Sequence, residues 1–394
     1  MTAPQRNVFL LACCQALLLT NASGLISMNG LVGYALASNK TLATLGATTY
    51  VLGSAVATMP MSLWMAKVGR RRGFMVGALV NVVGCGIAVA ALLARSFTLF
   101  CLATAVIGVY NAIGLQYRFA AAEVSSPARK ARAISLVLAG GIGGGFLGPP
   151  ITRFGKDLFA TPFLGSFVLL AAVAIVALAV QSRVDVPKPT AAERMGGGRP
   201  LRDVMRQPIF IVAAVSGTLG YGLMNLLMQG TPLAMDFCGL PYAAAATVIS
   251  WHVVGMYAPG FVTGSLITRF GVLKVILAGV AVMATGAMIA LTGNEIGHFL
   301  GALTLVGIGW NFMYTGGTAL LTESYTPAEK ARTQGINDFI MFSTMAITSF
   351  ASGALVSSTG WAIMNWIALP FLALAASVVV WYARIPKAAR IVPV

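Results

Sequence analysis

The chain has 394 residues, of which 58% are apolar and only 9% carry a charge. A soluble domain carries about a quarter charged residues, so this composition excludes an ordinary soluble protein. The formal net charge of +16 would suit a nucleic-acid-binding protein, and that reading depends on where the charges lie along the chain.

Apolar stretches of about 20 residues can cross a hydrocarbon core of ~30 Å as helices. The sequence contains twelve such stretches, numbered here as spans 1 to 12: 8–37, 41–66, 73–94, 97–122, 131–154, 161–183, 207–236, 241–267, 273–292, 297–322, 333–358 and 361–384. The 44 glycines suit close packing of helices in lipid. We therefore predict an all-α membrane protein with twelve transmembrane helices.

All but four of the 26 Lys and Arg residues fall on one side of this predicted topology. The four exceptions are Lys40, Arg95, Arg153 and Lys156. Cytoplasmic loops of membrane proteins are enriched in Lys and Arg, so the bias predicts that both termini face the cytoplasm. The basic balance thus reflects topology, and no nucleic-acid partner is predicted. The expected surroundings are a lipid bilayer, in which we expect the chain to act as a monomer.

Residues 184–206 interrupt the apolar pattern with Pro, Gly and charge, which predicts a cytoplasmic linker. The linker separates an N-terminal six-helix bundle, 1–183, from a C-terminal six-helix bundle, 207–394. The two halves match at a constant offset of 200 residues, with Asn111 opposite Asn311, Glu123 opposite Glu323, and Lys-Ala-Arg at both 130–132 and 330–332. This match predicts a duplicated six-helix unit in parallel orientation.

A second match joins the loops after spans 2 and 8, where KVGR at 67–70 corresponds to RFG at 269–271. The first of these loops resembles the pattern G-x-x-x-D-R-x-G-R-R/K of the major facilitator superfamily, although Ala66 stands at its acidic position and Thr268 does so in the second half. The resemblance covers the whole chain. It implies two pseudo-symmetric bundles that rock about a midplane site, giving alternating access to the two sides.

Soft and polar side chains at mid-membrane depth are the candidates for a cargo site. Span 7 carries Met224 and Met228, and span 8 carries His252 and Met256. Residues four apart share one helix face, and a rise of ~1.5 Å per residue places Met224 and His252 at similar depth. Thioether and imidazole ligands favour copper, in particular Cu(I). The pattern indicates a copper site, but Met is also common filler between helices, and a lone His can bond to a neighbouring carbonyl.

Within the superfamily, MxxxM on span 7 followed by HxxxM on span 8 resembles the CcoA-type copper importers of bacteria. The resemblance implies that the four residues bind copper, bare or chelated, as the transported substrate, with no organic cofactor. It also implies import across the bacterial inner (plasma) membrane and a supply of copper for assembly of haem-copper cytochrome c oxidase. Cysteines are implicated in that family, and Cys238, with Asp236 nearby, is the candidate for an outer metal entry point.

Other charged and amide side chains are candidates for coupling, gating or cavity lining. Asp338, inside span 11, would couple transport to protons, pair with Arg332 or cap its helix. The further candidates for coupling or gating are Glu123, Glu323, Arg118, Lys67, Arg70 and Arg269. The candidates for lining the cavity or joining helices are Asn111, Asn311 and Gln116.

The alternative to a copper importer is a proton-coupled exporter of drugs or small organic compounds, with Tyr221, Trp251, Trp310 and Tyr314 lining an organic pocket. A membrane sensor or scaffold is disfavoured by the two-half architecture. No enzyme is predicted, because the sequence has no nucleophile elbow, no P-loop and no paired carboxylates at mid-membrane depth. Without a P-loop, the chain is not predicted to be driven directly by ATP.

Overall fold

The structure, a computed structural model, describes residues 3–39, 42, 45–191 and 198–386. All regular structure in these residues is helical. The helices of the first half are α1 (Ala3–Leu36), α2 (Leu45–Val68), α3 (Arg70–Leu93), α4 (Phe97–Gly114), α5 (Tyr117–Glu123), α6 (Lys130–Ala139), α7 (Gly141–Gly155) and α8 (Leu164–Gln181). Together α4 and α5 form span 4, and α6 and α7 form span 5.

The helices of the second half are α9 (Leu201–Arg206), α10 (Pro208–Phe237), α11 (Tyr242–Tyr257), α12 (Gly260–Phe270), α13 (Val272–Ala290), α14 (Ile296–Leu321) and α15 (Lys330–Arg384). The short α9 lies in the predicted linker, of which residues 192–197 fall outside the described residues. Span 7 is α10. Span 8 is divided into α11 and α12 next to Pro259, which has no backbone N–H to continue the helical hydrogen bonds.

Eleven helical stretches of the described residues are long and apolar enough to cross a membrane. The last of them is α15, whose 55 residues include Gly360 at φ 84° and ψ 171°. This is a non-helical conformation that only glycine adopts without strain. Gly360 therefore divides α15 into the predicted spans 11 and 12, each longer than the ~20 residues that a crossing needs.

Two glycines show that the sequence duplication extends to the backbone. Gly69, between α2 and α3, has φ 91° and ψ 154°. Gly271, between α12 and α13, has φ 89° and ψ 148°. Both conformations are open essentially to glycine alone. The loops after spans 2 and 8, matched by sequence, thus turn in the same way.

The chain divides into two compact units, each of which is described by itself. Unit 1 holds the residues up to Ser125, those from Gly140 into the linker, and Gln334–Phe342. Unit 2 holds Ser126–Ala139, the residues from the end of the linker to Thr333, and those from Ser343 onward. Each unit is therefore one half of the sequence plus a short segment contributed by the other half.

Glycines hold equivalent pairs of spans at close distance in each unit. In unit 1, a Cβ added at Gly53 of α2 or at Gly108 of α4 would collide with a backbone carbonyl oxygen of the facing helix. In unit 2, a Cβ at Gly255 of α11 or at Gly307 of α14 would do the same. Spans 2 and 4, and likewise spans 8 and 10, approach so closely that only a residue without a side chain fits.

The end of the linker is fixed to the loop before α15 in unit 2. Nη2 of Arg199 lies 2.7 Å from Oε2 of Glu329. Oε1 of Glu329 accepts hydrogen bonds from Nε and the backbone N–H of Arg199, each at 2.8 Å, and Oε2 accepts one from the Thr326 N–H at 3.0 Å. These bonds, chiefly those from the Arg199 side chain, lower the pKa of the Glu329 carboxyl from 4.5 to about 2.

We expect Glu329→Gln to lower the melting temperature of the detergent-solubilised protein at neutral pH. Because the folded-state pKa is depressed, the stabilisation by this carboxylate is fully present above about pH 4.5 and is lost as the pH falls toward about 2. The difference between wild type and variant should therefore stay constant at higher pH and shrink below about pH 4.5. Thermal unfolding followed against pH measures it, with the exposed Glu295→Gln as control. A difference that persists unchanged in acid would contradict the depressed pKa.

Candidate functional site: a buried charge network and an aromatic cluster

Two arginines and two carboxylates meet in unit 1 within what we call the buried charge network, formed by Arg70, Gln116, Arg118, Glu123, Gln334 and Asp338. Arg118 and Asp338 form an ion pair in which the side chains are 2% and 0% exposed. Gln116 Nε2 and Asn337 Nδ2 also approach the Asp338 carboxylate, at 3.5 Å and 3.0 Å. These further donors help to offset the cost of taking the Asp338 carboxylate out of water.

Arg70 links this ion pair to the ends of neighbouring helices. Its Nη1 donates to Gln116 Oε1 at 2.7 Å, and its Nη2 donates to Glu123 Oε1 at 2.9 Å and to Gln334 Oε1 at 2.5 Å. Arg70 begins α3, Gln116 is the N-cap of α5, and Glu123 is the last residue of α5. Gln334 and Asp338 are four residues apart and thus share one face of α15. The network joins the starts of α3 and α15 to α5.

The structure corrects one sequence-based expectation about Asp338. Its ion-pair partner is Arg118, not Arg332, which instead donates to the carbonyl oxygen of Arg199 at 3.3 Å. Asp338 is also not the helix cap, because the residue at the N-cap of α15 is Glu329. Asp338 therefore pairs with an arginine that is distant in the sequence, and not with Arg332, the nearest basic residue along the chain.

The other gating candidates are placed differently. Lys67, Arg269 and Glu323 are exposed. Glu323 matches Glu123 in the sequence, yet it has no salt-bridge partner within the described part of the chain. Among the described residues, the salt bridge made by Glu123 therefore has no counterpart at Glu323.

The two matched asparagines join helices at equivalent places. In unit 1, Asn111 Nδ2 of α4 donates to Ser54 Oγ of α2 at 3.2 Å. In unit 2, Asn311 Nδ2 of α14 donates to the Met256 carbonyl at 2.6 Å, and its Oδ1 accepts from Thr263 Oγ1 at 2.7 Å. Of the two roles considered for these amides, joining helices is therefore the one that their hydrogen bonds show.

Small residues form a second pair of equivalent contacts. In unit 2, Ser135 Oγ of span 5 donates to the Gly260 carbonyl of span 8 and accepts from the Gly264 N–H at 3.0 Å. In unit 1, Gly335 of span 11, which is 200 residues after Ser135, lies against Met59 and Ser62 of span 2. Spans 5 and 8 therefore touch at Ser135, and spans 2 and 11 touch at the equivalent Gly335.

The four predicted copper ligands lie on α10 and α11 of unit 2. Met224, His252 and Met256 are buried, and Met228 is half-buried. Nδ1 of His252 lies 2.6 Å from the Leu303 carbonyl of α14, so it must donate, and Nε2 of the neutral ring is then an acceptor. This Nε2 is buried without a partner among the described residues. The imidazole is thus fixed to α14 through one nitrogen, with the other left open.

The rest of the predicted metal path is less well supported. Asp236 and Cys238, the proposed entry point, are exposed at the end of α10. Within the described residues, no three His, Cys, Asp or Glu side chains come together in a way that could hold a metal ion. Any metal site in this part of the chain would therefore depend on the methionines and on one imidazole.

Four aromatic rings of unit 2, here called the aromatic cluster, are Tyr221 of α10, Tyr257 of α11, and Trp310 and Tyr314 of α14. Trp310 and Tyr314 are stacked with ring centroids 5.1 Å apart and planes 16° apart. Tyr221 stands edge-on to both rings, at 5.2 Å and 5.3 Å. Tyr257 stands edge-on to Trp310 at 5.7 Å. These are favoured geometries for aromatic pairs, and they place an aromatic wall where α10, α11 and α14 meet.

Three of these rings were among the four that the sequence suggested for an organic pocket. The fourth suggestion, Trp251, is 52% exposed and is not a member of the cluster. Sequence reasoning missed Tyr257, which directly follows Met256. Its position in the sequence was the available signal. Tyr257 lies six residues after Trp251, so the two rings are on different faces of the helix.

Eleven candidate spans among the described residues, one of them divided at Gly360, indicate a multi-pass membrane protein. The chain belongs to the Major Facilitator Superfamily, whose family model matches residues 9–260 and 232–393, and it is a secondary transporter of that superfamily. The predictions of an all-α major facilitator fold and of a protein that is not an enzyme are thereby confirmed.

Two relatives and one solved structure illustrate the likeness. The riboflavin transporter RfnT of Brucella anthropi is 42% identical over 378 residues, which cover 95% of this chain and 94% of RfnT. The uncharacterized MFS-type transporter YddS of Bacillus subtilis is 27% identical, covering 91% of this chain and 86% of YddS. The crystal structure of the MFS transporter FucP in the outward conformation has a TM-score of 0.77 at 14% identity, covering 96% of this chain and 97% of FucP.

These comparisons give the copper prediction no support. The relative at 42% identity is described as a riboflavin transporter, and the methionine and histidine pattern does not by itself establish a metal cargo. The predicted membership of the superfamily is confirmed. The predicted resemblance to CcoA-type copper importers is not supported by these comparisons.

Proposed function

We propose that this chain is a secondary transporter of riboflavin or of a close flavin relative. The observation that carries the proposal is the 42% identity with RfnT, which extends over 95% of this chain and 94% of that protein. The proposed setting is a bacterial inner membrane, with both termini in the cytoplasm as the Lys and Arg bias indicates, and with the chain acting as a monomer.

The chemistry of unit 2 supports an organic substrate. A flavin has a flat fused ring, and such rings bind to aromatic side chains by stacking or edge contacts. The aromatic cluster offers this surface. The sequences of α11 and α14 contain no Asp, Glu, Lys or Arg, which suits a neutral molecule better than an ion.

For the buried charge network we propose a role in conformational switching. Asp338 and Arg118 are buried and paired, and Arg70 extends the pair to Glu123 and Gln334. A carboxylate in this setting is also the proposed proton-coupling group, because protonation would remove the charge that holds Arg118. Lys67, Arg269 and Glu323 are exposed and are left out of this proposal.

Copper remains a second candidate on one observation, the open Nε2 of His252. A metal-binding imidazole usually donates its other N–H to a carbonyl or a carboxylate, which is the arrangement that His252 has with Leu303. Thioethers from Met224, Met228 and Met256, on the same two helices, would be the further ligands of a soft site for Cu(I).

Counterflow tests the riboflavin proposal without assuming a direction of transport. Proteoliposomes preloaded with unlabelled riboflavin should accumulate external radiolabelled riboflavin several-fold above liposomes without protein. Ribitol loaded in place of riboflavin should not drive accumulation. Absence of counterflow by correctly folded, reconstituted protein would contradict the proposal.

His252→Ala separates the two candidate cargos. If the substrate is riboflavin, the variant should retain counterflow of riboflavin, and neither protein should show counterflow of Cu(I). Copper counterflow by the wild type that disappears in His252→Ala would instead establish the metal as cargo. Met288→Ala, which changes an exposed methionine outside α10 and α11, is the matched control.

A further inference from the structure

The aromatic cluster contains a buried hydrogen-bond donor that no described residue satisfies. Trp310 is 1% exposed, and its Nε1 has no hydrogen-bond partner among the described residues. The indole N–H can only donate. Leaving such a donor buried and unpaired is unfavourable, and native structures rarely do so without a reason. A ligand with a hydrogen-bond acceptor in its ring would remove this deficit.

Two buried hydroxyl groups, on α10 and α14, also lack a hydrogen-bond partner among the residues that the structure describes. Ser216 of α10 and Thr315 of α14 are both 0% exposed, and their hydroxyl oxygens have no partner within the described residues. A hydroxyl in a helix can ordinarily bond to the carbonyl four residues earlier. Thr231 of α10 and Ser250 of α11 do so, at 2.8 Å and 2.9 Å. Ser216 and Thr315 do not take this default bond and remain available.

These hydroxyls are close to cluster residues in the sequences of α10 and α14. Thr315 directly follows Tyr314 in α14, and Ser216 precedes Tyr221 by five residues in α10. Both α11 and α14 lack Asp, Glu, Lys and Arg. Helices α10 and α14 therefore carry an aromatic wall, together with one N–H donor and two hydroxyls that are unpaired within the described part of the chain, and α11 and α14 have no charged residue to neutralise an ionic group.

We propose that the aromatic cluster is the subsite for the flat ring of a neutral, hydroxylated heteroaromatic substrate, with the Trp310 N–H donating to a ring acceptor and Ser216 and Thr315 meeting the substrate's hydroxyl groups. Tyr221 is the half-buried ring of the cluster and is the one that the substrate contacts first. Riboflavin fits this description, whereas its phosphate ester carries a charge that this subsite cannot neutralise. The proposal rests on the proposed function and specifies which part of the molecule recognises which part of the substrate.

Binding to the purified full-length protein tests this assignment. Quenching of flavin fluorescence gives the affinity for riboflavin, for lumichrome (a flavin-type ring without the ribityl chain) and for the phosphate ester. Riboflavin and lumichrome should bind, and the ester should bind at least about tenfold more weakly. Trp310→Phe keeps a ring but removes the N–H, and it should weaken both riboflavin and lumichrome by about tenfold. Thr315→Val should weaken riboflavin and leave lumichrome unchanged.

Trp366→Phe, which changes a tryptophan that is 58% exposed, is the matched control and should bind as the wild type does. Melting temperatures establish that each variant is folded. If the wild type binds riboflavin while Trp310→Phe and Thr315→Val bind it equally well, the subsite assignment is wrong and the proposed function stands. If the wild type binds lumichrome but not riboflavin, the aromatic subsite stands and riboflavin is overturned as the substrate. Binding of neither compound overturns both.

Discussion

Replacing Asp338 by Asn should destabilise the folded protein by about 3–5 kcal/mol, because the guanidinium of Arg118 would remain buried without a counter-charge. Both side chains are essentially inaccessible, so water cannot take the place of the missing carboxylate. The expected result is a large fall in the melting temperature of the detergent-solubilised protein. Arg118→Met should have a comparable effect through the unpaired carboxylate.

The double variant Arg118→Met, Asp338→Leu separates structure from function. Apolar side chains of similar volume often replace a buried ion pair with little loss of stability, so the double variant should melt nearer to the wild type than either single variant does. If it regains stability but shows no riboflavin counterflow, the charges themselves are needed for transport. The exposed Asp157→Asn is the control. A single variant that melts like this control would show that the pair contributes nothing.

Gly108→Ala should also severely reduce the amount of folded protein. A methyl group at this position would overlap the carbonyl of Tyr50 in the facing helix, and backbone atoms cannot move aside as a flexible side chain can. Overpacking of an interior costs about 1–3 kcal/mol or more, and here α2 and α4 would have to separate along their length. The monodisperse fraction on size-exclusion chromatography and the melting temperature report the effect.

Gly86→Ala provides the matched control in the same unit. A Cβ at Gly86 of α3 meets no atom within 4 Å, so the substitution should be neutral or slightly stabilising. Gly307→Ala, at the equivalent contact in unit 2, should behave like Gly108→Ala. Equal behaviour of Gly108→Ala and Gly86→Ala would show that spans 2 and 4 are not packed as described.

The fold could be predicted from the sequence because its signals are local. Apolar stretches of membrane-spanning length identify the spans, and the constant offset between Asn111 and Asn311 reveals the duplication. The structure gives these two amides equivalent hydrogen bonds between helices. The boundary at Gly360 falls in the predicted gap between spans 11 and 12, but the break at Pro259 lies inside span 8 and was not predicted, since hydropathy does not report backbone conformation.

The candidate site could be predicted only in part, because its contacts join distant residues. Asp338 was recognised as an interior acid, but its partner Arg118 lies 220 residues away, and the sequence equally offered the nearby Arg332. Composition cannot choose between two arginines; packing of α5 against the start of α15 does so. The same limit applies to Met224 and Met228, whose spacing suits both a soft-metal site and ordinary helix packing.

The asymmetry between the two units has a kinetic consequence. Spans 5 and 8 are joined by the hydroxyl of Ser135, which water can replace at once if the helices part. Spans 2 and 11 make the equivalent contact at Gly335, but the same end of α15 is also held by two ion-paired arginines that would each need rehydrating. We therefore expect the rate of any motion that separates both contacts to be limited by the contact in unit 1. The activation energy of that motion is then set by the contact at Gly335 and its neighbouring ion pairs, and not by the equivalent contact at Ser135.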